Sequence, residues 1–151
     1  MDEIDLRLIE LLTANARTSY AELAQEVGLS APSTAERVRR LEERGVVLGY
    51  AARVDPAALG RDLTAFVSVS VGDRAQTRAF LAAVAKLPEV VECHHVAGDD
   101  DYLLKVHVDG TRGLEALVTD RLKAIKGVTR TRTTVVLSTA IDRPVAVDGV
   151  A

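Results

Sequence analysis

The segment SYAELAQEVGLSAPSTAERVRRLEERG, residues 19–45, predicts two short helices joined by a tight turn. Ser19 and Glu22 have the spacing of a capping box, in which each side chain accepts a hydrogen bond from a free N–H group at the helix start. Gly28 can end this helix, and Ser30 can cap the next one almost at once. Two helices separated by so short a turn have the spacing of a helix-turn-helix motif.

The second helix of this pair carries a possible DNA-contacting surface. It runs to Gly45, and Thr34, Val38 and Leu41 recur on one face at the spacing of buried positions. The opposite face and its flanks carry the candidate DNA-binding residues, which are Ser30, Ser33, Glu36, Arg37, Arg39, Arg40 and Arg44. The alternative interpretation is a solvated helix face on which neighbouring glutamates and arginines form ion pairs.

Another helix precedes this pair, because Ile4, Leu8 and Leu12 recur at helical spacing within residues 2–14. The three helices make up a predicted DNA-binding domain of residues 1–50, which contains six arginines and nine acidic residues. Phosphate neutralisation supplies most non-specific DNA affinity. We therefore expect one copy of this acidic domain to bind weakly and several copies together to bind more tightly.

The pattern changes to β-strands after this domain. A β-prone run from Gly45 to Val54, ended by Asp55-Pro56, predicts a strand linker over residues 51–61. Residues 62–140 then alternate in the order βαββαβ, which is typical of a ferredoxin-like domain with two helices on one face of an antiparallel sheet. Residues 141–151 form a tail without a pattern. The predicted fold class is α+β.

One face of the predicted sheet has no helix to cover it. The strands, expected at residues 63–71, 90–97, 102–108 and 128–139, place a mixture of apolar and polar side chains on that face. A sheet face that is partly apolar and uncovered is a surface for self-association. We expect at least a homodimer.

Composition restricts the class of protein. Hydrophobic residues make up 48% of the chain and charged residues 27%, which is typical of a folded protein. No apolar run approaches the roughly 20 residues that cross a bilayer, and the acidic N-terminus does not resemble a secretion signal, so we expect a cytoplasmic protein without a membrane partner. Cys93 is the only cysteine, which excludes an intrachain disulfide. A pI of 5.6 is unusual for a simple DNA-binding protein.

The segment ECHHVAGDDDY, residues 92–102, concentrates potential metal ligands. Successive side chains on a strand point to opposite faces, so His94 cannot share a small coordination sphere with both Cys93 and His95. The aspartates also lack the alternating spacing of a calcium loop. We expect no metal site and no bound cofactor.

The glycine and aspartates of this segment have two other interpretations. Gly98 to Asp101 can be a solvated hairpin turn, since both residue types tolerate turn geometry. The alternative is a small-ligand pocket. The turn's N–H groups would bind a carboxylate, an aspartate would bind an ammonium group, and Thr133 or Thr134 would add a hydroxyl. Such a set of groups suits a free amino acid.

The order of motifs resembles the Lrp/AsnC family of transcriptional regulators, also called feast/famine regulators. The resemblance extends from Ile4 to Thr139. Its N-terminal motifs are DEIDLRLIELL, ARTSYAELAQEVGLS, RVRRLEERGVVLGY and VDPAALG, and its C-terminal motifs are EVVECHHVAGDDDYLL and GVTRTRTTVVLS. Any one of these is weak evidence, whereas their combination in this order is highly specific.

The resemblance implies a winged or extended helix-turn-helix domain, a strand linker and a ligand-sensing βαββαβ domain often called RAM. It also implies dimers that assemble into octamers or similar rings, with an amino-acid effector between dimers. The implied effector-binding residues are His95, Gly98, Asp99, Asp101, Tyr102, Thr133, Thr134, Val135 and Val136. Relatives commonly carry an aromatic residue at the position of Asp100, and the aspartate is expected to make the rim of this pocket more acidic.

The leading hypothesis is a sequence-specific transcriptional regulator of amino-acid-related genes, which binds double-stranded DNA and responds to an amino acid. One alternative is an architectural DNA-binding protein that acts without a ligand. Another is a small ferredoxin-like enzyme that uses His94, His95 or His107 as an acid or base. No pair of titratable groups has a spacing that requires chemistry, so we expect no enzymatic activity.

Overall fold

The computed structural model describes residues 1–147, apart from the side chain of Arg74, and its contacts divide the chain into two compact units. The first unit contains Met1–Arg53 and the segment that begins at Ile141, and the second is Val54–Ala140. Among the described residues, no helix combines the length and apolarity that crossing a bilayer requires.

Three helices form the first unit: α1 (Glu3–Ala14), α2 (Tyr20–Val27) and α3 (Ala31–Glu43). Each begins at a residue whose side chain accepts a backbone N–H bond, and these caps are Asp2, Ser19 and Ser30. Gly28 ends α2 in the left-handed conformation, with φ of 68°, which lets the chain enter α3 without a longer loop. The predicted helix-turn-helix is confirmed.

Apolar side chains from all three helices meet in one small core. Leu8, Leu12, Leu23, Val38 and Leu41 are buried there. Thr34 is also buried, and its hydroxyl donates a hydrogen bond of 3.0 Å to the carbonyl of Ser30. The inward face predicted for α3 is therefore the one that packs, and the arginine-bearing face is left at the surface.

The linker differs from the prediction. No strand lies between α3 and residue 63 in the described chain, and the predicted strand linker of residues 51–61 contains instead a short 3-10 helix, Ala57–Leu59. The wing implied by the resemblance is likewise absent from the described part of the first unit. A strand must pair its N–H and C=O groups with a neighbouring strand, and none of the four described strands pairs with these residues.

The second unit has the predicted order βαββαβ. It contains β1 (Leu63–Val71), α4 (Arg74–Val84), β2 (Val90–His95), β3 (Tyr102–Val108), α5 (Thr111–Glu115, continued as a π-helix over Ala116–Leu122) and β4 (Val128–Val135). The strands form one antiparallel sheet in the order β2-β3-β1-β4. The α+β fold class is confirmed, although β2 and β4 end earlier than the sequence indicates.

The helices cover one face of this sheet. Alternate residues of β1 and β3 pack beneath them, and the buried core consists of Ala65, Val67, Val69, Phe80, Val84, Tyr102, Leu104, Val106, Val108, Leu117 and Leu122. Leu81 follows the apolar pattern of α4 but is 40% exposed, because the stripe that packs on the sheet passes through Phe80 and Val84.

The other face of the sheet is uncovered in the single chain. Phe66 and Leu103 are half-buried near its centre. Lys105 and Glu92 form an ion pair toward the β2 edge, whereas arginines lie on β4 at the opposite edge. The mixed apolar and polar character predicted for this face is confirmed.

Candidate nucleic-acid interface and ligand site

The N-terminus of α3 is fixed by serine side chains. The hydroxyl of Ser30 accepts a bond of 3.3 Å from the N–H group of Ser33 and donates one of 2.9 Å to the Ser33 hydroxyl. Pro32 lies in the first turn, where its missing N–H has no helical partner to lose. Both predicted serines therefore lie at the end of the helix where unpaired N–H groups favour an anion.

Arg37 does not point freely into solvent. Its Nη1 lies 2.9 Å from Oδ2 of Asp2 and 2.7 Å from Oδ1 of Asp5, both on the first turn of α1. The pKa of Asp2 is lowered, chiefly by the hydrogen bond from the backbone N–H of Asp5 and to a smaller extent by the bond from Arg37. Arg37 thus connects α3 to the start of α1, which its position in the sequence did not reveal.

The remaining charges of α3 pair along the helix. Glu36 contacts Arg39 at 2.6 Å and Arg40 at 3.0 Å, and Arg39 also contacts Glu43 at 2.8 Å. The hydrogen bond from Arg39 is the largest cause of the lowered pKa of Glu36. The ion-paired helix face considered as an alternative is therefore present in the free protein.

Arg44 differs from the other arginines of this helix. It is exposed at the C-terminal end of α3 and forms no ion pair with any described residue. An open cleft of about 470 Å³ extends from it along α3 to the start of α1, lined by Asp2, Asp5, Ser33, Glu36, Arg37, Arg40, Leu41 and Arg44. Most of the predicted DNA-binding residues therefore share one surface, which contains carboxylates as well as guanidinium groups.

The turn between β2 and β3 is built around a buried carboxylate. Asp100 is only 5% exposed, and it accepts bonds of 2.9 Å from the Ser70 hydroxyl, 2.8 Å from Arg130 and 2.9 Å from Arg132. The bond from Ser70 is the largest cause of the lowered pKa of Asp100, and the two guanidinium groups add to it. The expectation that Asp100 acidifies the pocket rim is wrong, because its side chain points inward and is neutralised.

Asp101 also stabilises the fold, through two hydrogen bonds to β1. Its Oδ2 accepts a bond of 2.7 Å from the N–H group of Val71, and its own N–H donates to the carbonyl of Val69 at 3.0 Å. Tyr102 is buried between two rings, with its centroid 5.0 Å from that of Phe80 and 5.1 Å from that of His95. These two predicted effector residues stabilise the turn in the single chain.

The other predicted effector residues fall into two groups. His95, Gly98 and Asp99 are exposed at the turn. The turn meets β4 at Arg130 and Arg132, whereas the predicted residues Thr133, Thr134 and Val135 lie further along that strand and Val136 follows its end. Among the described residues of one chain, the turn therefore contacts β4 through the two arginines rather than through the four predicted residues.

Sequence reasoning missed Ser70, Arg130 and Arg132, as well as Asp2 and Asp5. The arginines of TRTRT recur with the period of a strand face, and this spacing was the one available signal for the Asp100 cluster. His94 contacts Glu92 at 2.9 Å on the uncovered face. Within residues 1–147, no three histidine, cysteine, aspartate or glutamate side chains are grouped in a way that could hold a metal ion.

Comparison with known proteins gives matches over both units. The family model for the AsnC-type helix-turn-helix domain matches residues 1–42, and that for the Lrp/AsnC ligand binding domain matches residues 64–146. The chain is 42% identical to the HTH-type transcriptional regulator LrpA of Mycobacterium tuberculosis, over 92% of this chain and 91% of that protein. It is 41% identical to the leucine-responsive regulatory protein of Salmonella typhimurium, over 91% of this chain and 85% of that one.

Solved structures agree with these relatives. A feast or famine regulatory protein of M. tuberculosis, complexed with L-methionine, superimposes with a TM-score of 0.90 at 40% identity, covering 97% of this chain and 99% of that one. A transcriptional regulator of Neisseria meningitidis in complex with L-methionine gives a TM-score of 0.89 at 30% identity, covering 95% and 94%. The chain therefore belongs to the Lrp/AsnC family of transcriptional regulators, with a helix-turn-helix domain and a ligand-binding domain.

Proposed function

We propose that α3 is the recognition helix of this regulator and that it enters the major groove of double-stranded DNA. The observation that carries the proposal is the exposed arginine-bearing face of α3, whose opposite face is fixed in the core by Thr34, Val38 and Leu41. Ser30, Ser33, Glu36, Arg37 and Arg40 would meet the groove, and Arg39 and Arg44 would contact phosphates.

The ion pairs of α3 in the free protein are weak enough to be replaced by contacts with DNA. Arg39 and Arg40 are 59% and 67% exposed, and ion pairs between such exposed groups contribute little to stability. A phosphate can therefore replace Glu36 at Arg39, and a base edge can replace it at Arg40, at a small cost. Arg44, which has no ion pair among the described residues, can contact a phosphate without any exchange.

Because the first unit is acidic, tight DNA binding would require several copies of it at once. With fewer arginines than acidic residues in its first 50 positions, each copy gains little from non-specific attraction to DNA. The uncovered sheet face and exposed apolar side chains such as Leu48 and Leu137, which are 94% and 97% exposed, support self-association. We infer a homodimer that assembles further, into an octamer or a similar ring.

The second unit is proposed to bind a free amino acid at the turn between β2 and β3. Gly98 would offer a backbone N–H group to the ligand carboxylate, and Asp99, which is exposed, would take its ammonium group. His95, Asp101 and Tyr102 would shape this half of the site. Because Thr133, Thr134, Val135 and Val136 lie away from the turn in one chain, they would be supplied by a neighbouring copy.

A second candidate function has one observation in its favour. The Asp100 cluster fixes the turn without any ligand, through contacts to Ser70, Arg130 and Arg132. A turn that is already ordered need not change its conformation when a ligand binds, so binding there would not by itself shift the protein between two states. This favours an architectural DNA-binding protein that acts independently of amino acids.

Two measurements separate these functions. Fluorescence anisotropy with a duplex pool of random sequence, followed by selection of the bound sequences, tests DNA binding and its specificity. A thermal-shift screen of the twenty amino acids at millimolar concentration tests the effector, since a ligand that binds only the folded state raises the melting temperature. The absence of any shift, with DNA binding retained, would favour the architectural function.

The variant that tests the ligand site should be Asp99→Ala rather than Asp101→Ala. The carboxylate of Asp101 binds the N–H group of Val71, so its removal would alter the fold as well as any response to ligand. Asp99 is exposed, and only its backbone carbonyl is bound, by Arg130. We expect Asp99→Ala to abolish the amino-acid shift while the melting temperature of the free protein stays unchanged.

A further inference from the structure

The first turn of α1 and the recognition helix are joined by one network of charges. Asp2 and Asp5 form a capping box, with a bond of 2.9 Å from the Asp5 N–H to Oδ1 of Asp2 and one of 3.3 Å from the Asp2 N–H to Oδ2 of Asp5. The same two carboxylates accept bonds from a single nitrogen of Arg37. The helix cap and the arginine therefore share their hydrogen-bonding groups.

The charge of Arg37 is fully offset in this network. Two carboxylates face its one guanidinium group at the edge of the cleft that α3 lines, and the α-amino group of Met1 also lies near enough to Asp2 to contribute to the lowering of its pKa. Arg37 is 32% exposed and Asp2 is 53% exposed, whereas Asp5 is only 13% exposed. A phosphate that approached this edge would find Arg37 already paired with two carboxylates.

We propose that Asp2 and Asp5 are specificity-determining residues of the DNA interface, which act through Arg37. They neutralise its charge in the free protein, so a contact between Arg37 and DNA requires exchange of the carboxylates for a base edge or a phosphate. The proposal rests on the proposed function of α3. It assigns to the start of α1 a role in DNA selection beyond that of a helix cap.

The need to displace Asp2 and Asp5 from Arg37 should weaken non-specific DNA binding more than specific binding. Non-specific affinity comes from phosphate neutralisation by available cationic groups, and the aspartates remove one such group from the surface. A specific complex adds hydrogen bonds to base edges, which can offset the loss of the Asp2 and Asp5 contacts. The two carboxylates thus raise the ratio of specific to non-specific affinity.

The test is a charge-removing variant that keeps the helix cap. Asp2→Asn combined with Asp5→Asn removes both charges, while asparagine caps a helix about as well as aspartate does. The matched control is Glu10→Gln combined with Glu26→Gln. These two carboxylates also bind one arginine, Arg7, at 2.7 and 3.1 Å, but Arg7 does not line the α3 cleft. Both variants change the charge of the unit equally.

We expect the Asn variant of the full chain to bind a random-sequence duplex about tenfold more tightly at low salt. The slope of its log affinity against log salt concentration should be steeper by about one, which corresponds to one more phosphate contact. The Gln control should change neither quantity by a comparable amount. In an Arg37→Ala background, the gain from the two Asn substitutions should disappear, which a merely structural role for the aspartates would not produce. Asp5→Asn alone, which leaves the Asp2 cap intact, should give part of the gain.

Three results would overturn the proposal. One is an equal gain in the Gln control, and another is a gain that persists without Arg37. The third is no gain in either the Asn double variant or Asp5→Asn, when circular dichroism shows them to be folded. If the wild-type protein binds no duplex at any salt concentration, the proposed function of α3 fails as well, so the two failures are distinguishable.

Discussion

Each unit of this regulator contains a cluster of aspartate and arginine side chains, and the two clusters differ in burial rather than in bond length. In the first unit, Arg37 contacts Asp2 and Asp5 at 2.9 and 2.7 Å, and the groups remain partly exposed. In the second unit, Arg130 and Arg132 contact Asp100 at 2.8 and 2.9 Å, and the carboxylate side chain is 4% exposed.

The comparison shows how the same chemistry can serve two purposes. An exposed carboxylate can give up its arginine to a phosphate, because water solvates the carboxylate after the exchange. A buried carboxylate such as that of Asp100 is poorly suited to this exchange, since without its arginines it would retain the Ser70 hydroxyl but gain little contact with water. The first cluster is therefore suited to an interface that exchanges partners, and the second to a turn of fixed geometry.

The largest effect should come from the buried cluster. Asp100→Ala leaves the Ser70 hydroxyl and the Arg132 guanidinium group without this acceptor, while Arg130 retains its bond to the Asp99 carbonyl, and we expect the melting temperature to fall by roughly 5 °C or more. The matched control is Asp99→Ala, one position earlier in the same turn, whose exposed side chain should be dispensable for folding. Equal melting temperatures for the two variants, measured by circular dichroism, would remove the distinction between the clusters.

The next effect concerns the exposed face of α3. We expect Arg40→Ala to weaken binding to a selected operator by about 1–3 kcal/mol if it contacts a base edge, with little change in the melting temperature. Arg78→Ala, which removes an exposed arginine from α4, is the control for a general loss of charge. Gel-shift titrations in which the two variants behave alike would exclude Arg40 from the interface.

A smaller effect should appear with pH. The pKa of Asp100 is lowered in the folded state, chiefly by the Ser70 hydroxyl and further by the two guanidinium groups. A lowered pKa means that the charged carboxylate stabilises the fold above its unfolded pKa of about 4, and that this contribution is lost as the pH falls toward the folded pKa. Asp100→Asn should therefore destabilise the protein fully at about pH 7 and progressively less as the pH falls below about 4.

Thermal unfolding of the wild type and of Asp100→Asn across this range measures the difference directly. A difference in melting temperature that is constant with pH would show that the Asn variant loses packing or geometry rather than charge.

The smallest effect should come from an exposed pair with a short contact. Arg53 lies 2.6 Å from Asp142, and both side chains are about two-thirds exposed, at 65% and 66%. We expect Arg53→Ala to change the free energy of unfolding by less than about 1 kcal/mol, because solvent screens such a pair. A loss as large as that of Asp100→Ala would mean that contact length, rather than burial, decides how much these clusters contribute.

Much of the fold could be predicted because its signals are local. Ser19 with Glu22 specifies the start of α2, Gly28 its end, and the alternation of β1 and β3 the sheet face that packs. The linker was wrong because β-prone residues form a strand only where another strand pairs with their N–H and C=O groups, and residue types alone do not specify that partner.

The site was harder to predict because its contacts join distant parts of the sequence. Arg37 reaches Asp2, and Asp100 reaches Arg130, over thirty or more positions, so no local spacing reveals either pair. The surface position of α3 was predictable from its buried face. The neutralisation of its arginines and the inward orientation of Asp100 depend on tertiary packing.

The central claim is that the arginines of α3 contact a DNA duplex. The most direct test is the slope of log affinity against log salt concentration for the wild type, for Arg39→Ala with Arg44→Ala, and for the control Arg78→Ala with Arg112→Ala. We expect the α3 variant to reduce the slope by about two, since each lost phosphate contact contributes about one, and the control to retain the wild-type slope. Equal slopes in all three proteins, or no binding by the wild type at low salt, would contradict the claim.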